Sequence, residues 1–207
     1  MKEIPILMTP ENARKCHYGT KTQTRRIVKL PLRCPAHGVV LNSFDPRGEH
    51  DADILVNCHY GVVGDWLWVR EAWRMSGEYA DVSTTKIKPE DAWLYTDHLL
   101  YRGETHSEGV DKWRSSMMMP KWACRTWLEI TEVRVQRLQE ISEEDAREEG
   151  VELGFCGSAP GRCDDNSCRN PSSYRDGFKV LWESINGPGS WEQNPWVWAI
   201  SFRKVAP

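Results

Sequence analysis

The sequence predicts an α+β protein: a mixed, mostly antiparallel sheet with a few short helices at its flanks. Three observations carry this. Apolar and polar residues alternate with a strand-like period of two over 128–135 and 196–202. Three short helices, expected at about 10–18, 142–149 and 174–185, are bracketed by strands and carry recognisable start or stop signals. The regular strand–helix alternation of a doubly wound parallel sheet is missing.

Ile4–Met8 is a short apolar run suited to a first strand. Thr9 is then the expected N-cap and Pro10 the first helical residue, with Gly19 as a left-handed terminator. Thr24–Val28 reads as strand. Trp66–Trp73 is aromatic and β-branched and reads as one well-packed strand, interrupted by Arg70 and Glu71. Weaker strand signals fall at Trp93-Leu94-Tyr95 and Leu99-Leu100-Tyr101. Over Trp127–Val135 the alternation slips at Thr131–Glu132, as it would at a bulge. Ser142-Glu143-Glu144-Asp145 resembles a capping box with Ile141 and Ala146 as its staple, and Gly150 stops that helix. Phe178, Leu181, Trp182 and Ile185 form an i, i+3, i+4, i+7 stripe predicted to face the core. At 207 residues the chain is read as one domain with insertions at about 31–60, 76–121 and 154–173, segments rich in turn-forming residues.

The net charge of −3 excludes a histone-like binder whose whole surface is cationic. Eleven tryptophans require a large aromatic core or exposed stacking faces. Met1-Lys2-Glu3-Ile4-Pro5 is mixed in character and no 18-residue apolar run occurs, which points to a cytoplasmic protein with no membrane partner. Seven cysteines, an odd number, fit free thiols or a metal site better than a disulfide framework. Cys156, Cys163 and Cys168 are spaced C-x6-C-x4-C, looser than a usual zinc knuckle. Cys34-x-x-His37 and Cys58-His59 could add ligands from other loops, making a structural zinc the alternative to free loop thiols.

Charge is distributed unevenly. No Asp or Glu occurs from Asn12 to Phe44, while Arg14, Lys15, Lys21, Arg25, Arg26, Lys29 and Arg33 are all cationic. A strip of this kind attracts phosphate, or is simply a solvated face. The hydroxyls of Thr20, Thr22 and Thr24 interleave with the cations. Gly19 supplies the backbone freedom to bend Thr24 toward Lys21. Far downstream, Glu149 places an anion in the last turn of its helix, where the helix dipole opposes it.

Gly19-x-Lys21-x-x-Thr24-x-Arg26 resembles the G-x-K-x-x-E-x-R signature of ASCH domains, small PUA-like β-barrels, and departs from it at Thr24. With Thr in that place the motif resembles the ASCH amidohydrolases that act on N4-acetylcytidine, and the chain is also similar to a larger phage or prophage form of the family. The resemblance covers roughly residues 4–30, 61–73, 122–151 and 174–205. It implies a PUA-like barrel and a catalytic set of Lys21, Thr24 and Glu149, the last on its alignment with Asp145-Ala146-Arg147-Glu148-Glu149-Gly150. In one version Lys21 is the base and Thr24 the nucleophile, while Glu149 orients and protonates the leaving nitrogen. In the other, Glu149 activates water and Lys21 stabilises the oxyanion. Neither needs a metal or cofactor. The competing expectation is a non-catalytic reader of RNA or a modified base. It would hold a single-stranded or flipped base against Trp faces such as Trp68, with Arg25, Arg26 and Lys29 on phosphates and Arg70 or Glu71 at the cleft. A barrel that serves only assembly is the third reading.

Overall fold

The computed structural model describes residues 1–29, 32–33, 40–41, 58–76, 79, 82–83, 87–102, 113–153 and 173–206. Over these the protein is α+β. The strands are β1 (Glu3–Leu7), β2 (Gln23–Ile27), β3 (Leu32–Arg33), β4 (Val40–Leu41), β5 (Trp66–Arg70), β6 (Trp73–Met75), β7 (Leu99–Tyr101), β8 (Trp127–Arg137) and β9 (Trp196–Val205). The α-helices are α1 (Pro10–Tyr18), α2 (Glu143–Glu148) and α3 (Tyr174–Asn186).

The main sheet has the order β1-β5-β8-β9-β2, and two-stranded sheets pair β3 with β4 and β6 with β7. β1 runs parallel to β5, whereas the β5–β8 and β2–β9 pairs are antiparallel. The sheet is therefore mostly antiparallel, as expected. The expected closed barrel is not formed among the described residues, because β1 and β2 end the sheet without pairing to each other. Both edge strands are five residues long, and Pro5 removes a donor from β1, which limits further pairing at that edge.

The chain divides into two compact units. The first comprises Met1–Thr20, Val63–Ile130 and Arg203–Pro207. Here Thr9 caps α1 by accepting from the Asn12 N–H, and Gly19 ends the helix in the left-handed region at φ 75°. Both were legible, and Gly19 is the residue for which that φ is free of strain. The predicted strand over 66–73 is in fact two. β5 stops at Arg70, and Trp73 pairs across to Tyr101 in a different sheet. Glu71, at the break, is buried and turned into an ion pair with Arg125 (2.8 and 3.0 Å). Trp93-Leu94-Tyr95 is not strand but part of a 3-10 helix, Pro89–His98. Pro89 at its start and Glu90 and Asp91 in its first turn are helix-initiating residues, and they outweigh the β-propensity of the aromatics. Trp73, Met75, Tyr101, Met119 and Ala123 form this unit's apolar cluster.

The second unit comprises Lys21–Val62 and Thr131–Phe202. Its core joins Leu138, Ile141, Ala146, Phe178, Trp182, Trp191 and Val197. Ser142 caps α2 by accepting from Asp145 N–H, and both staple residues, Ile141 and Ala146, are buried in the core. In α3, Phe178 and Trp182 are buried and Leu181 packs against them, but Ile185 is 48% exposed. The helix ends one residue later at Asn186, so its last turn lies beyond the core it was predicted to cover. In β9 both faces are covered: Val197, Trp198, Ala199 and Ile200 are all 0–1% exposed, as suits an interior strand. In β8 the burial phase slips where the sequence slips, with Thr131 and Glu132 both exposed between buried Ile130 and Val133.

Candidate functional site

The second unit brings the first strand of the basic motif against α2. Gln23, Thr24 and Arg25 of β2 pair in register with Ser201, Ile200 and Ala199 of β9. Successive side chains of a strand alternate, so Gln23 and Arg25 share one face with Ser201, Ala199 and Val197. That face meets the helices: Arg25 lies 5.7 Å from the Phe178 ring centroid, and Gln23 donates to Asp145 (3.0 Å), Glu148 (3.1 Å) and Ser201 (3.2 Å). Asp145 and Glu148 of α2 and its C-cap Glu149 stand at i, i+3 and i+4, one side of a helical turn. Alternating residues of a strand thus face a helical triplet of carboxylates.

Lys21 precedes β2 and reaches the end of that helix. Its ammonium donates to the Glu149 carboxylate (Nζ–Oε2 2.5 Å) and to the Glu149 backbone carbonyl (2.7 Å). The side chains are 1% and 4% exposed. The backbone joins in, Thr22 N–H donating to the Glu148 carbonyl at 2.9 Å. The anion that looks misplaced at a helix C-terminus is therefore matched by a cation, and the same cation satisfies a terminal carbonyl. Arg25 supplies a second cation: it donates to Glu149 Oε1 (3.2 Å), to Asp145 Oδ2 (2.8 Å) and to Gln23 Oε1. Arg134 also donates to Asp145 (2.9 Å).

Of the expected catalytic set, Lys21 and Glu149 meet directly across 128 positions of sequence. Thr24 is buried on the opposite face of β2 from Gln23 and Arg25, and no hydrogen bond links its hydroxyl to Lys21 or Glu149. The bend expected at Gly19 ends α1 but leaves β2 regular. Arg25 was expected on phosphates and is instead 4% exposed with carboxylate partners. Arg26 is half-buried with its guanidinium 6.0 Å from the Tyr60 ring centroid, and Lys29 is exposed. Trp68, Arg70 and Glu71 belong to the first unit. There Arg70 lies 5.2 Å from the Trp68 ring centroid and donates to the carbonyls of Ser116 (3.0 Å) and Met117.

The Glu71–Arg125 pair is 1% and 13% exposed at its side chains, and Arg125 stacks 4.0 Å from the Tyr101 centroid. It fastens the break after β5 to the segment before β8. Glu71→Ala is expected to cost about 3 kcal/mol of stability, since it takes this carboxylate from the Arg125 guanidinium. Urea unfolding of the variant beside wild type checks it.

Cys156, Cys163, Cys168, Cys34 and His37 lie outside the described residues. Among the described residues no group of His, Cys, Asp and Glu is placed to hold a metal. Cys58 and Cys124 are free, and burial pushes each thiol up to about 11, which suppresses the thiolate.

A cleft of about 410 Å³ is lined among others by Gln23, Glu132, Arg134, Glu144, Asp145 and Glu148; Lys21 and Glu149 are not among its lining residues, but Gln23, Asp145 and Glu148 are their neighbours in sequence or in the hydrogen-bond network. Its walls are rich in carboxylate. For Asp145, burial pushes the carboxyl up, but hydrogen bonds from Gln23 and Arg134 and the charges of Arg25 and Arg134 outweigh it and hold it below 3.8. Glu148 goes the other way, raised above 4.5 by burial and then by Asp145 and Glu144. The signs give opposite pH dependences. Stability from Asp145 is present above 3.8 and is lost as pH falls through its lower folded-state value. For Glu148 the folded state binds its proton more tightly, so stability drops as pH rises through 4.5. Glu148→Gln is thus expected to raise the urea midpoint at pH 7 and to match wild type at pH 4. Asp145→Asn should flatten the acid-side loss of stability.

Sequence reasoning missed Gln23, Arg134 and the partnership of Asp145 with Arg25. The signals were there: period two across Lys21, Gln23 and Arg25, and period 3.6 across Asp145, Glu148 and Glu149. Compared with protein families, curated proteins and solved structures, the chain matches none. Among the described residues no helix is long and apolar enough to cross a membrane.

Proposed function

We propose that this chain is an amidohydrolase acting on an N-acylated nucleobase or nucleoside of the N4-acetylcytidine class, on a PUA-like frame of the ASCH type. The observation that carries the reading is the buried contact between Lys21 and Glu149, two members, 128 positions apart, of the set that the motif resemblance selects. The water-attack route fits this arrangement. Glu149 takes a proton from water, and the hydroxide oxygen bonds to the acyl carbon. The carbonyl electron pair moves onto its oxygen, which Lys21 receives: an ammonium has three donors, and the two contacts to Glu149 leave one. Collapse breaks the C–N bond, and the proton held by Glu149 passes to the departing amine, releasing the carboxylic acid, which loses its proton to solvent, and the free base or nucleoside. Thr24, on the other strand face, has no step in this route.

Two features favour this over the reader. Lys21 and Arg25, half of the motif's cations between Lys21 and Lys29, are paired inside rather than presented to phosphate. The carboxylate-lined cleft repels polyanions and suits an uncharged nucleoside. The test is incubation with N4-acetylcytidine and other N4-acyl nucleosides followed by chromatography, beside a polynucleotide titration at two salt concentrations. Deacylation with no salt-dependent binding is expected. Tight, salt-sensitive binding without turnover would hand the protein to the reader alternative.

A further inference from the structure

We infer that Arg25 is a positioning residue for the Lys21–Glu149 pair, with Gln23 and Asp145 holding the guanidinium in place. The inference rests on the hydrolase reading for its catalytic consequence but not for its geometry.

A carboxylate held by one partner pivots about its last bond. Glu149 is held by two, Lys21 on Oε2 (2.5 Å) and Arg25 on Oε1 (3.2 Å), so its plane is set. Arg25 is itself immobilised on three sides. Its second nitrogen donates to Asp145 Oδ2 at 2.8 Å, its first also donates to Gln23 Oε1, and its flat face packs 5.7 Å from the Phe178 centroid. Its side chain is fully buried. Gln23, 1% exposed, closes the frame by donating to Asp145, Glu148 and Ser201. This is what a planar fork supplies and a lysine cannot: the carboxylates of Asp145 in α2 and of its C-cap Glu149 held at a fixed separation by one rigid group. The charges also sort the roles. Lys21, Arg25 and Arg134 face Glu149 and Asp145, three cations to two anions. Removing Arg25 leaves each carboxylate with a cation, so what Glu149 loses is orientation rather than its only counterion. Without that restraint the carboxylate turns away from the water it must deprotonate, while the cleft walls that hold the substrate stay. The effect therefore falls on kcat rather than KM.

The test compares wild type, Arg25→Met, Arg25→Lys and Arg25→Ala, each checked for folding by circular dichroism. On N4-acetylcytidine, kcat of Arg25→Met is expected to fall roughly a hundredfold with KM within about twofold. Arg25→Lys should recover part of it, and millimolar guanidinium ion should raise kcat of Arg25→Ala but not of wild type. A residue that only supports the fold would lower the yield or melting temperature and show no rescue. If Arg25→Met fails to fold, the Arg25→Lys comparison decides. A second arm needs no turnover: the 1H–15N signal of the Lys21 ammonium, sharp when fixed between carboxylate and carbonyl, should broaden or move in Arg25→Met and Arg25→Lys. An unchanged ammonium signal, or wild-type kcat in Arg25→Met, overturns the inference. Absence of turnover in wild type, with the ammonium signal lost in the variants, sinks the hydrolase reading and leaves the positioning role standing.

Discussion

Glu149→Ala should unfold at a much lower urea concentration than wild type, with a stability loss of about 3–5 kcal/mol. The substitution leaves the Lys21 ammonium buried with only the backbone carbonyl of residue 149 for a partner. Arg25 keeps Asp145, so the cost comes mainly from the lysine. Lys21→Met should cost less, about 1–3 kcal/mol, because Glu149 retains its contact with Arg25. The double variant Lys21→Met/Glu149→Ala removes both charges at once. It should be more stable than the sum of its parts by about 1–3 kcal/mol. Additive losses in that cycle would mean that the two side chains are not coupled in solution.

In the rate assay the larger contrast lies between Lys21 and Thr24. Lys21→Met should lower kcat for N4-acetylcytidine by roughly 10²–10³-fold, the usual effect of removing one oxyanion donor. Thr24→Val should keep turnover within about threefold of wild type. Its side chain is on the β2 face away from Gln23 and Arg25, and valine matches threonine in shape at a buried position. A Thr24→Val protein that folds normally yet has lost all turnover would restore the covalent route, with Thr24 as nucleophile.

The helices were legible because their ends are chemical. Thr9, Ser142, Gly19 and Gly150 stand where caps are found, with Gly19 and Gly150 at φ 75° and 81°. Strand boundaries were less legible where a single residue decides them. Nothing local in Trp66–Trp73 says that Glu71 will leave the ladder for Arg125, 54 positions later. The closed barrel was an expectation of the family resemblance, and whether β1 and β2 join is set by edge geometry that no periodicity records. At the site, the Lys21–Glu149 partnership followed from charge and motif. The internal fate of Arg25 did not, because a cation in a basic strip looks the same whether it meets solvent or a helix 120 residues away. Only the joint reading of strand and helix periods, Lys21-Gln23-Arg25 against Asp145-Glu148-Glu149, would have pointed to it.

The most direct measurement is the kcat of Glu149→Gln on N4-acetylcytidine, made beside wild type on protein whose circular dichroism and melting are recorded. Glutamine keeps the size of the side chain and one of the two oxygens that Lys21 and Arg25 share, while removing the basic carboxylate. The account predicts a folded protein whose kcat is lower by roughly 10²–10⁴-fold, the range for loss of a general base. A folded Glu149→Gln protein with wild-type turnover would contradict it, leaving the Lys21–Glu149 pair as a fastening of the fold and placing the chemistry elsewhere.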